Sequence, residues 1–285
     1  MLMYRTMEHS RFVLAGLMGC PVAHSRSPNI HNHWIAEYGL RGAYVLLPVA
    51  PANLAQALRA LPVLGFAGCN LTIPHKVAAM ALVDSVEPVA RRIGAINTIV
   101  VQPDGSLAGS NTDGFGYIQS LLAEVPDWRA DAGPVVMMGA GGAARGVLAS
   151  LAEQGAKEIR VCNRSPDKAQ QLAAELGGPV TAVPWEERHG ALAGAALLVN
   201  TTSQGMSGQP PLDLVLDELP RTALVSDLIY VPLQTPLLAA ARARGNRCVG
   251  GLGMLLHQAR PGFAAWFGRM PEVTAPLRAL VESSL

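Results

Sequence analysis

Short apolar runs alternate with longer segments of mixed polarity along the first half of the chain. The apolar runs predict strands at Leu14–Gly19, Tyr44–Val49, Gly68–Ile73 and Asn97–Val101. The segments between them predict helices at Ser27–Tyr38, Asn53–Leu61, His75–Val83 and Val89–Ile93. The turn residues Gln102–Gly105 predict a hairpin that returns through Ser106–Gly109. Strands alternating with helices are typical of βαβ units and a parallel sheet.

A second alternating series begins after a predicted helix at Gly114–Ala123. The polar, proline- and glycine-marked stretch Pro126–Pro134 indicates the entry to a second domain. Strands are predicted at Val135–Met138, Ile159–Cys162, Ala196–Asn200, Ala223–Asp227 and Arg247–Val249. Helices are predicted at Ala143–Gln154, Asp167–Leu176, Thr235–Arg244, Met254–Phe267 and Val273–Glu282.

Composition supports two folded domains and excludes several classes of protein. The chain has 285 residues, enough for about two domains at roughly 150 residues each. Hydrophobic residues make up 50% and charged residues 15%, which excludes disorder and favours strands buried on both faces. The net charge is +1 without a Lys/Arg block, so we expect no nucleic-acid partner. No apolar run approaches the roughly 20 residues of a membrane span, so we expect no membrane partner.

The N-terminal residues allow two interpretations. Arg5 precedes the uncharged stretch Phe12–Ala23, in which Leu17–Cys20 resembles a lipoprotein cleavage box. Glu8 interrupts the basic region, however, and the apolar stretch continues into a proline. We therefore interpret Leu14–Gly19 as the first core strand rather than as part of an export signal.

Cysteine and histidine positions predict neither a disulfide framework nor a metal site. The four cysteines are too sparse for a framework and lack the spacing of metal ligands. His31 and His33 point in diverging directions on a predicted helix. We therefore expect no metal and a reducing, cytoplasmic location.

A glycine-rich loop follows the predicted strand Val135–Met138 and opens a helix. Its sequence, Gly139-Ala140-Gly141-Gly142-Ala143-Ala144, matches G-x-G-x-x-A. The first glycine turns the chain, the second lets the backbone approach a pyrophosphate, and the small third residue allows close packing of helix and strand. The helix N-terminus supplies N–H groups to the phosphates. The loop predicts a dinucleotide site.

The next strand, Ile159–Cys162, favours NADP over NAD. In NAD-binding proteins this strand is followed by an acid that accepts a hydrogen bond from the ribose 2′-hydroxyl. Here it is followed by Asn163-Arg164-Ser165, with Lys168 one turn later. A guanidinium pairs with a 2′-phosphate that a carboxylate would repel. A solvated arginine would explain Arg164 but not the missing acid.

Three polar stretches in the first half are candidates for substrate chemistry. Asn70–Lys76 places Lys76 at a helix start, where a cation opposes the helix dipole, although a lysine extending to the surface remains an alternative. Ser110–Gly114 precedes a helix, and Asp113 could serve there as an N-cap. Helix capping in His24–Pro28 explains one of its two serines but not both.

Nine motifs occur in one order from about residue 14 to the C-terminus. They are His24–Pro28 with His31-Asn32, Asn70–Lys76, Gly94–Thr98, Asn111–Gly114, Gly139–Ala144, Asn163–Ser165, Asn200–Met206, Asp227–Tyr230 and Gly251–Leu255. Together they resemble the shikimate dehydrogenase family. Departures are mild, since the family often has Thr at position 165 and Arg at position 168.

The resemblance implies a two-domain α/β fold. A discontinuous substrate and catalytic domain with a parallel or mixed sheet would comprise residues 1–113 and 250–285. A Rossmann-type NADP domain would comprise residues 114–249, and the cleft between the domains would hold substrate against the nicotinamide. The implied reaction is the reversible, NADPH-dependent reduction of 3-dehydroshikimate to shikimate, on the pathway to chorismate and the aromatic amino acids.

The resemblance also implies roles for individual residues. Lys76 would be the catalytic acid/base, with Asp113 beside it to orient the ammonium. The substrate carboxylate would be held by Ser25 and Ser27, and its ring hydroxyls by Thr72, Asn97, Asp113 and Gln258, with Tyr230 lining the same cleft. The cofactor would be held by Gly139, Ala140, Gly141, Gly142, Ala143, Asn163, Arg164, Ser165, Lys168, Leu228 and Gly251.

Two other functions remain open from the sequence. One is a quinate/shikimate dehydrogenase with broader substrate range or NAD use, against which Arg164 counts. The other is a non-catalytic NADP-sensing homologue, which the presence of both Lys76 and Asp113 disfavours. The expected partner is a small-molecule substrate, and the sequence leaves a homodimer open.

Overall fold

The computed structural model describes residues 12–285, which divide into two compact units. One unit extends to Thr112 and also includes Ala259–Leu285, while the other is the continuous segment Asp113–Gln258. Each unit contains a six-stranded sheet with helices, so the expected α/β fold with two domains is confirmed.

The sheet of the first unit is mixed. Its strands are β1 (Val13–Gly19), β2 (Gly42–Pro48), β3 (Phe66–Leu71), β4 (Ser85–Val86), β5 (Thr98–Val101) and β6 (Leu107–Ser110). The strand order is β2-β1-β3-β5-β6-β4. β1 pairs in parallel with β2 and β3, whereas β5 runs antiparallel to β3 and β6. The short turn between β5 and β6 closes with a 2.8 Å hydrogen bond from Gln102 N to Ser106 O, which confirms the predicted hairpin.

Helices connect or follow the strands of this sheet. They are α1 (Ser27–Glu37), α2 (Leu54–Val63), α3 (His75–Ala78), α4 (Pro88–Ile93) and α10 (Ala275–Glu282). The predicted helix His75–Val83 is shorter than expected, because α3 gives way to a 3-10 turn at Ala79–Ala81. The core between helices and sheet includes Leu58, Cys69 and Ile99, each with no exposed surface.

The second unit contains a fully parallel sheet. Its strands are β7 (Val135–Met138), β8 (Ile159–Cys162), β9 (Val180–Val183), β10 (Leu197–Asn200), β11 (Leu224–Asp227) and β12 (Cys248–Val249), in the order β12-β11-β10-β7-β8-β9. Every neighbouring pair is parallel. β7 and β10 are buried along their whole length, as expected for strands covered on both faces.

The helices of this unit precede or connect its strands. They are α5 (Asp113–Glu124), α6 (Gly142–Glu153), α7 (Pro166–Leu176) and α8 (Pro236–Ala243). The long helix α9 (Leu252–Phe267) begins here, where a Cβ built at Gly253 would lie 2.2 Å from the Ser120 hydroxyl. Because these first turns pack on α5 and on the core, contacts place residues 250–258 in the second unit.

The predicted first strand is confirmed. β1 lies between β2 and β3, and Ala15, Leu17 and Met18 are at most 5% exposed. Arg5 and Glu8 lie outside the described residues. Within residues 12–285, no helix combines the length and the apolar character needed to cross a membrane.

Candidate active site

Polar residues of the first unit collect at one edge of its sheet. β1 and β3 are parallel, so the segments that follow them, containing Ser25, Ser27 and Thr72, leave from the same edge. β5 runs antiparallel to β3, so its beginning, at Asn97 and Thr98, lies at that edge too, with Thr98 opposite Asn70. The carboxyl ends of parallel strands are the usual place for ligand sites in α/β folds.

The two serines lie at the start of α1. The Ser25 hydroxyl lies 3.2 Å from the Ser27 hydroxyl and accepts a 3.2 Å hydrogen bond from Ser27 N–H. The N-cap position belongs to Arg26, whose side chain makes no capping hydrogen bond. Ser27 is only 6% exposed. The structure therefore brings both hydroxyls together, close enough for both to donate to one carboxylate.

Asn97 is 1% exposed and fixed by hydrogen bonds. Its Oδ1 accepts from Thr112 N–H at 2.9 Å and from the Thr98 hydroxyl at 3.0 Å. Its Nδ2 lies 3.1 Å from the Thr112 hydroxyl and donates to it. The position of this amide is therefore set by its neighbours in the first unit.

A deeper layer supports Asn97. Asn70 Nδ2 donates to the Asn97 carbonyl at 3.1 Å and to the Thr98 hydroxyl at 3.0 Å, and the Tyr44 hydroxyl donates to Asn70 Oδ1 at 2.7 Å. The buried ring of His31 stacks on Tyr44 with 4.0 Å between centroids. Tyr44 was not among the predicted site residues; the only sequence signal for this layer is Asn70, a polar residue within an apolar strand.

Thr72 lies next to the end of β1, and Lys76 follows it at the start of α3. A Cβ at Gly19 would lie 2.4 Å from Thr72 Cγ2, so only glycine permits this approach. Lys76 is half-buried in the first turn of α3, and its carbonyl accepts a 2.9 Å hydrogen bond from Ile96 N–H, next to Asn97. Buried His75, with Nε2 2.8 Å from the Val49 carbonyl, anchors the same turn.

The other predicted substrate residues belong to the second unit. Asp113 is the first residue of α5 and is 6% exposed. Gln258 lies on α9 in close contact with α5, since a Cβ at Gly116 would lie 2.4 Å from Gln258 Cβ. Tyr230 is half-buried in the loop after β11.

The structure brings Leu228 and Gly251 together. A Cβ at Gly251 would lie 2.0 Å from the Leu228 carbonyl oxygen, so this backbone approach requires glycine. The loop that carries Leu228 is held by Asp227, which has no exposed surface and accepts hydrogen bonds from Asn200 Nδ2 (3.0 Å) and from the Thr235 hydroxyl (2.7 Å). Burial raises the pKa of Asp227, while these hydrogen bonds oppose the rise.

The glycine-rich loop has the geometry expected for a pyrophosphate site. Gly139 has φ +107°, and a Cβ there would lie 2.6 Å from the Thr201 hydroxyl. α6 begins without a side-chain cap, so its first N–H groups are available to an anion. No described atom lies within 4 Å of a Cβ built at Gly141 or Gly142, which leaves room for phosphate groups.

A cavity of about 210 Å³ lies beside this loop at the carboxyl ends of the strands. The described residues that line it are Gly139, Ala140, Gly141, Asn163, Arg164, Trp185, Thr201, Thr202, Ser203 and Gln204. Asn163 Oδ1 accepts a 3.2 Å hydrogen bond from Ala140 N–H and so joins two predicted parts of the site. No carboxylate is among these lining residues, which fits a 2′-phosphate beside Arg164.

Six predicted cofactor residues lie outside this lining: Gly142, Ala143, Ser165, Lys168, Leu228 and Gly251. Ser165 is the N-cap residue of α7, and its carbonyl accepts hydrogen bonds from Asn163 Nδ2 (2.9 Å) and Lys168 N–H (3.2 Å). Lys168 is exposed in the first turn of that helix. Trp185 and Thr201–Gln204, in contrast, line the cavity but were not predicted, although the polar run after β10 was a signal for the latter.

No set of three or more His, Cys, Asp or Glu side chains within residues 12–285 is arranged to hold a metal ion.

Comparison with known proteins identifies the family. Residues 17–99 match the profile "Shikimate dehydrogenase substrate binding domain", and residues 124–207 match "Shikimate / quinate 5-dehydrogenase". A relative from Paramagnetospirillum magneticum, named "Shikimate dehydrogenase (NADP(+))", is 57% identical over 270 residues, which cover 95% of this chain and 98% of the relative.

Solved structures agree with this result. Shikimate 5-dehydrogenase from Thermus thermophilus, in complex with NADP(H) and shikimate, is 36% identical with a TM-score of 0.86, covering 96% of this chain and 100% of that one. Quinate dehydrogenase from Corynebacterium glutamicum, in complex with NAD, is 31% identical with a TM-score of 0.89 and the same coverage. The resemblance seen in the motifs is confirmed, and the chain belongs to the shikimate dehydrogenase family.

Proposed function

We propose that this protein is an NADP-dependent shikimate dehydrogenase, which reversibly reduces 3-dehydroshikimate to shikimate. The observation that carries the proposal is the 57% identity over 95% of the chain to a relative named for this activity and cofactor. Lys76 and Asp113 are both present, which disfavours a non-catalytic homologue.

In the first unit, Ser25 and Ser27 bind the substrate carboxylate. Their hydroxyls lie 3.2 Å apart and are held at the start of α1, so little conformational entropy is lost when they bind. Thr72 and Asn97 bind ring hydroxyls. The hydrogen bonds that fix Asn97 Oδ1 and Nδ2 orient the amide before substrate arrives.

Lys76 carries the proton transfer. When bound, NADPH supplies the hydride that reduces the substrate ketone. Negative charge then develops on the former carbonyl oxygen, and the Lys76 ammonium stabilises that charge and donates a proton to the oxygen. In the reverse direction the neutral amine accepts the hydroxyl proton. Asp113 orients the ammonium and shares the hydrogen bond to the same hydroxyl, while Tyr230 and Gln258 contact the remaining substrate.

The second unit binds the cofactor. The backbone of Gly139, Ala140, Gly141, Gly142 and Ala143 holds the pyrophosphate at the start of α6. The 2′-phosphate end is held by Asn163, Arg164, Ser165 and Lys168. Leu228 and Gly251, already in contact with each other, lie at the nicotinamide end.

Steady-state assays of four substrate–cofactor pairs test the function: shikimate or quinate, each with NADP or NAD. We expect shikimate with NADP to give the highest kcat/KM. The relatives that resemble this chain include a quinate dehydrogenase bound to NAD, so a preference for quinate or NAD would replace the proposal with that activity.

Lys76→Ala tests the catalytic role. We expect kcat to fall roughly 10²- to 10⁴-fold, the usual contribution of a general acid or base, with NADPH affinity nearly unchanged. Lys157→Ala, which removes an exposed lysine of the second unit, is the matched control and should keep wild-type kcat. Survival of turnover in Lys76→Ala would contradict the acid/base role.

A further inference from the structure

The cavity beside the glycine-rich loop has one aromatic wall. Trp185 is the single aromatic side chain among the described residues that line it. It follows β9, the outermost strand next to β8, and begins a 3-10 turn at Trp185–Glu187. The indole is a large apolar surface at the edge of a polar cavity, and it is half-buried.

Arg188 holds this indole in place. Its guanidinium carbon lies 4.6 Å from the centre of the Trp185 ring, and its Nη1 donates a 2.8 Å hydrogen bond to the Trp185 carbonyl. The guanidinium is itself fixed, since Nε donates to the Asp213 carbonyl at 2.8 Å and Nη2 to the Asp213 carboxylate at 2.6 Å. One side of the indole therefore packs on Arg188, and the ring is oriented before any ligand binds.

The other walls define the chemistry of the ligand. Arg164 adds an exposed guanidinium and Thr201, Thr202 and Gln204 add neutral polar groups, whereas no carboxylate lines the cavity. A flat, neutral aromatic ring attached to an anion satisfies both the indole and the guanidinium. A purine base on a phosphorylated ribose has this combination.

The sheet order gives the direction of such a ligand. The pyrophosphate loop follows β7, the residues expected at the 2′-phosphate follow β8, and Trp185 follows β9, and these three strands are consecutive in the sheet. The base of a dinucleotide that extends outwards from β7 reaches the end of β9.

We propose that Trp185, positioned by Arg188, stacks on the adenine ring of the cofactor. The inference rests on the proposed function, because that function supplies the adenine dinucleotide. Trp185 acts on the base and not on the 2′-phosphate, so it contributes equally to the affinity for NADP and for NAD.

Calorimetric titration of the wild-type protein, Trp185→Ala and Trp185→Phe tests the proposal. Affinities are measured for NADP, NAD and adenosine 2′-monophosphate (2′-AMP), which lacks the nicotinamide. Loss of base–aromatic stacking should weaken all three ligands about tenfold in Trp185→Ala, with the NADP-to-NAD affinity ratio unchanged. Trp185→Phe should keep most of the affinity. The melting temperatures of both variants in the absence of ligand should stay at the wild-type value, which a general loss of structure would not allow.

Fluorescence provides a second measurement that needs no alanine variant. 2′-AMP should quench tryptophan emission in the wild-type protein and in Trp128→Phe, the matched control in the same unit, but not in Trp185→Phe. Wild-type affinity for 2′-AMP in folded Trp185→Ala, or quenching that persists in Trp185→Phe, would overturn the inference. Failure of the wild-type protein to oxidise shikimate with NADP would instead overturn the proposed function, since 2′-AMP binding does not depend on turnover.

Discussion

The imidazole of His31 is buried in an aromatic cluster, and we expect it to make the first unit sensitive to acid. The side chain has no exposed surface, and neither ring nitrogen has a hydrogen-bond partner among the described residues. It stacks on Tyr44 with ring planes 4° apart and meets Trp34 edge-on at 5.7 Å. Burial lowers the pKa of His31 from 6.5 to about 3, because the apolar surroundings disfavour the charged ring.

The pKa difference sets the size of the effect. Below pH 6.5 the unfolded chain binds a proton at His31 that the native protein does not, so stability is lost as the pH falls towards 3. Between pH 8 and pH 5 the expected loss from this residue is about 2 kcal/mol, at ~1.4 kcal/mol for each pH unit below the unfolded pKa. That is a large share of a typical free energy of unfolding.

The substitution His31→Phe isolates this contribution. Phenylalanine keeps a ring beside Tyr44 and removes two nitrogens that have no described partner, so the fold should tolerate it. Urea unfolding of both proteins, measured from pH 8 to pH 5, gives the difference in their free energies of unfolding. The value at pH 8 reports packing alone, and the wild-type protein should lose about 2 kcal/mol relative to the variant by pH 5. Parallel curves would refute the reasoning.

Three further predictions concern the second unit. Arg164→Asp should shift the ratio of kcat/KM values from NADP towards NAD, because a carboxylate repels the 2′-phosphate, and unchanged selectivity would contradict that role. Gly142→Ala should weaken NADP binding without lowering the melting temperature, since the added Cβ enters open space. Gly139→Ala should lower both the NADP affinity and the melting temperature, since φ at Gly139 is +107°. Equal melting temperatures for the two variants would contradict this. Asp227→Asn removes a carboxyl group, and burial raises the pKa of that group in the native protein. The free energy of unfolding of the wild-type protein should therefore fall relative to that of the variant as the pH rises above about 4. Denaturation at several pH values that shows no such trend would contradict this.

The sequence predicts the fold best where a strand is apolar throughout. Val135–Met138 has the predicted bounds because its continuous apolar run ends at glycine. Ile159–Cys162, in which half-buried Arg160 is the single charged residue, also has the predicted bounds and ends at asparagine. The strand Val180–Val183 was missed because it has four residues of mixed burial and ends at a proline, so its pairing with β8 has no local signal. Ser85–Val86 is shorter still and exists only through its pairing with β6.

The geometry of the candidate site was predictable where it lies within one loop. The glycine-rich loop specifies its own turn and helix start within six consecutive residues, Gly139–Ala144. Tyr44 and Trp185 were missed because their relation to the site depends on tertiary packing. Tyr44 lies on β2 and Asn70 on β3, and both strands pair with β1, which brings the two side chains into contact. Trp185 lines the cavity because it follows the end of β9.

The antiparallel direction of β5 explains how the first unit buries the side-chain amides of Asn70 and Asn97 with little loss of stability. A buried amide without partners is destabilising, and a network is favourable only when its members are satisfied. Because β5 runs against β3, Asn97 and Thr98 meet Asn70 side by side, and each donates to or accepts from another. A parallel strand in this place would carry its first residues to the opposite edge of the sheet. The direction of β5 therefore both satisfies the buried amides and places Asn97 at the edge of the sheet from which the segments with Ser25, Ser27 and Thr72 leave, as the proposed substrate site requires.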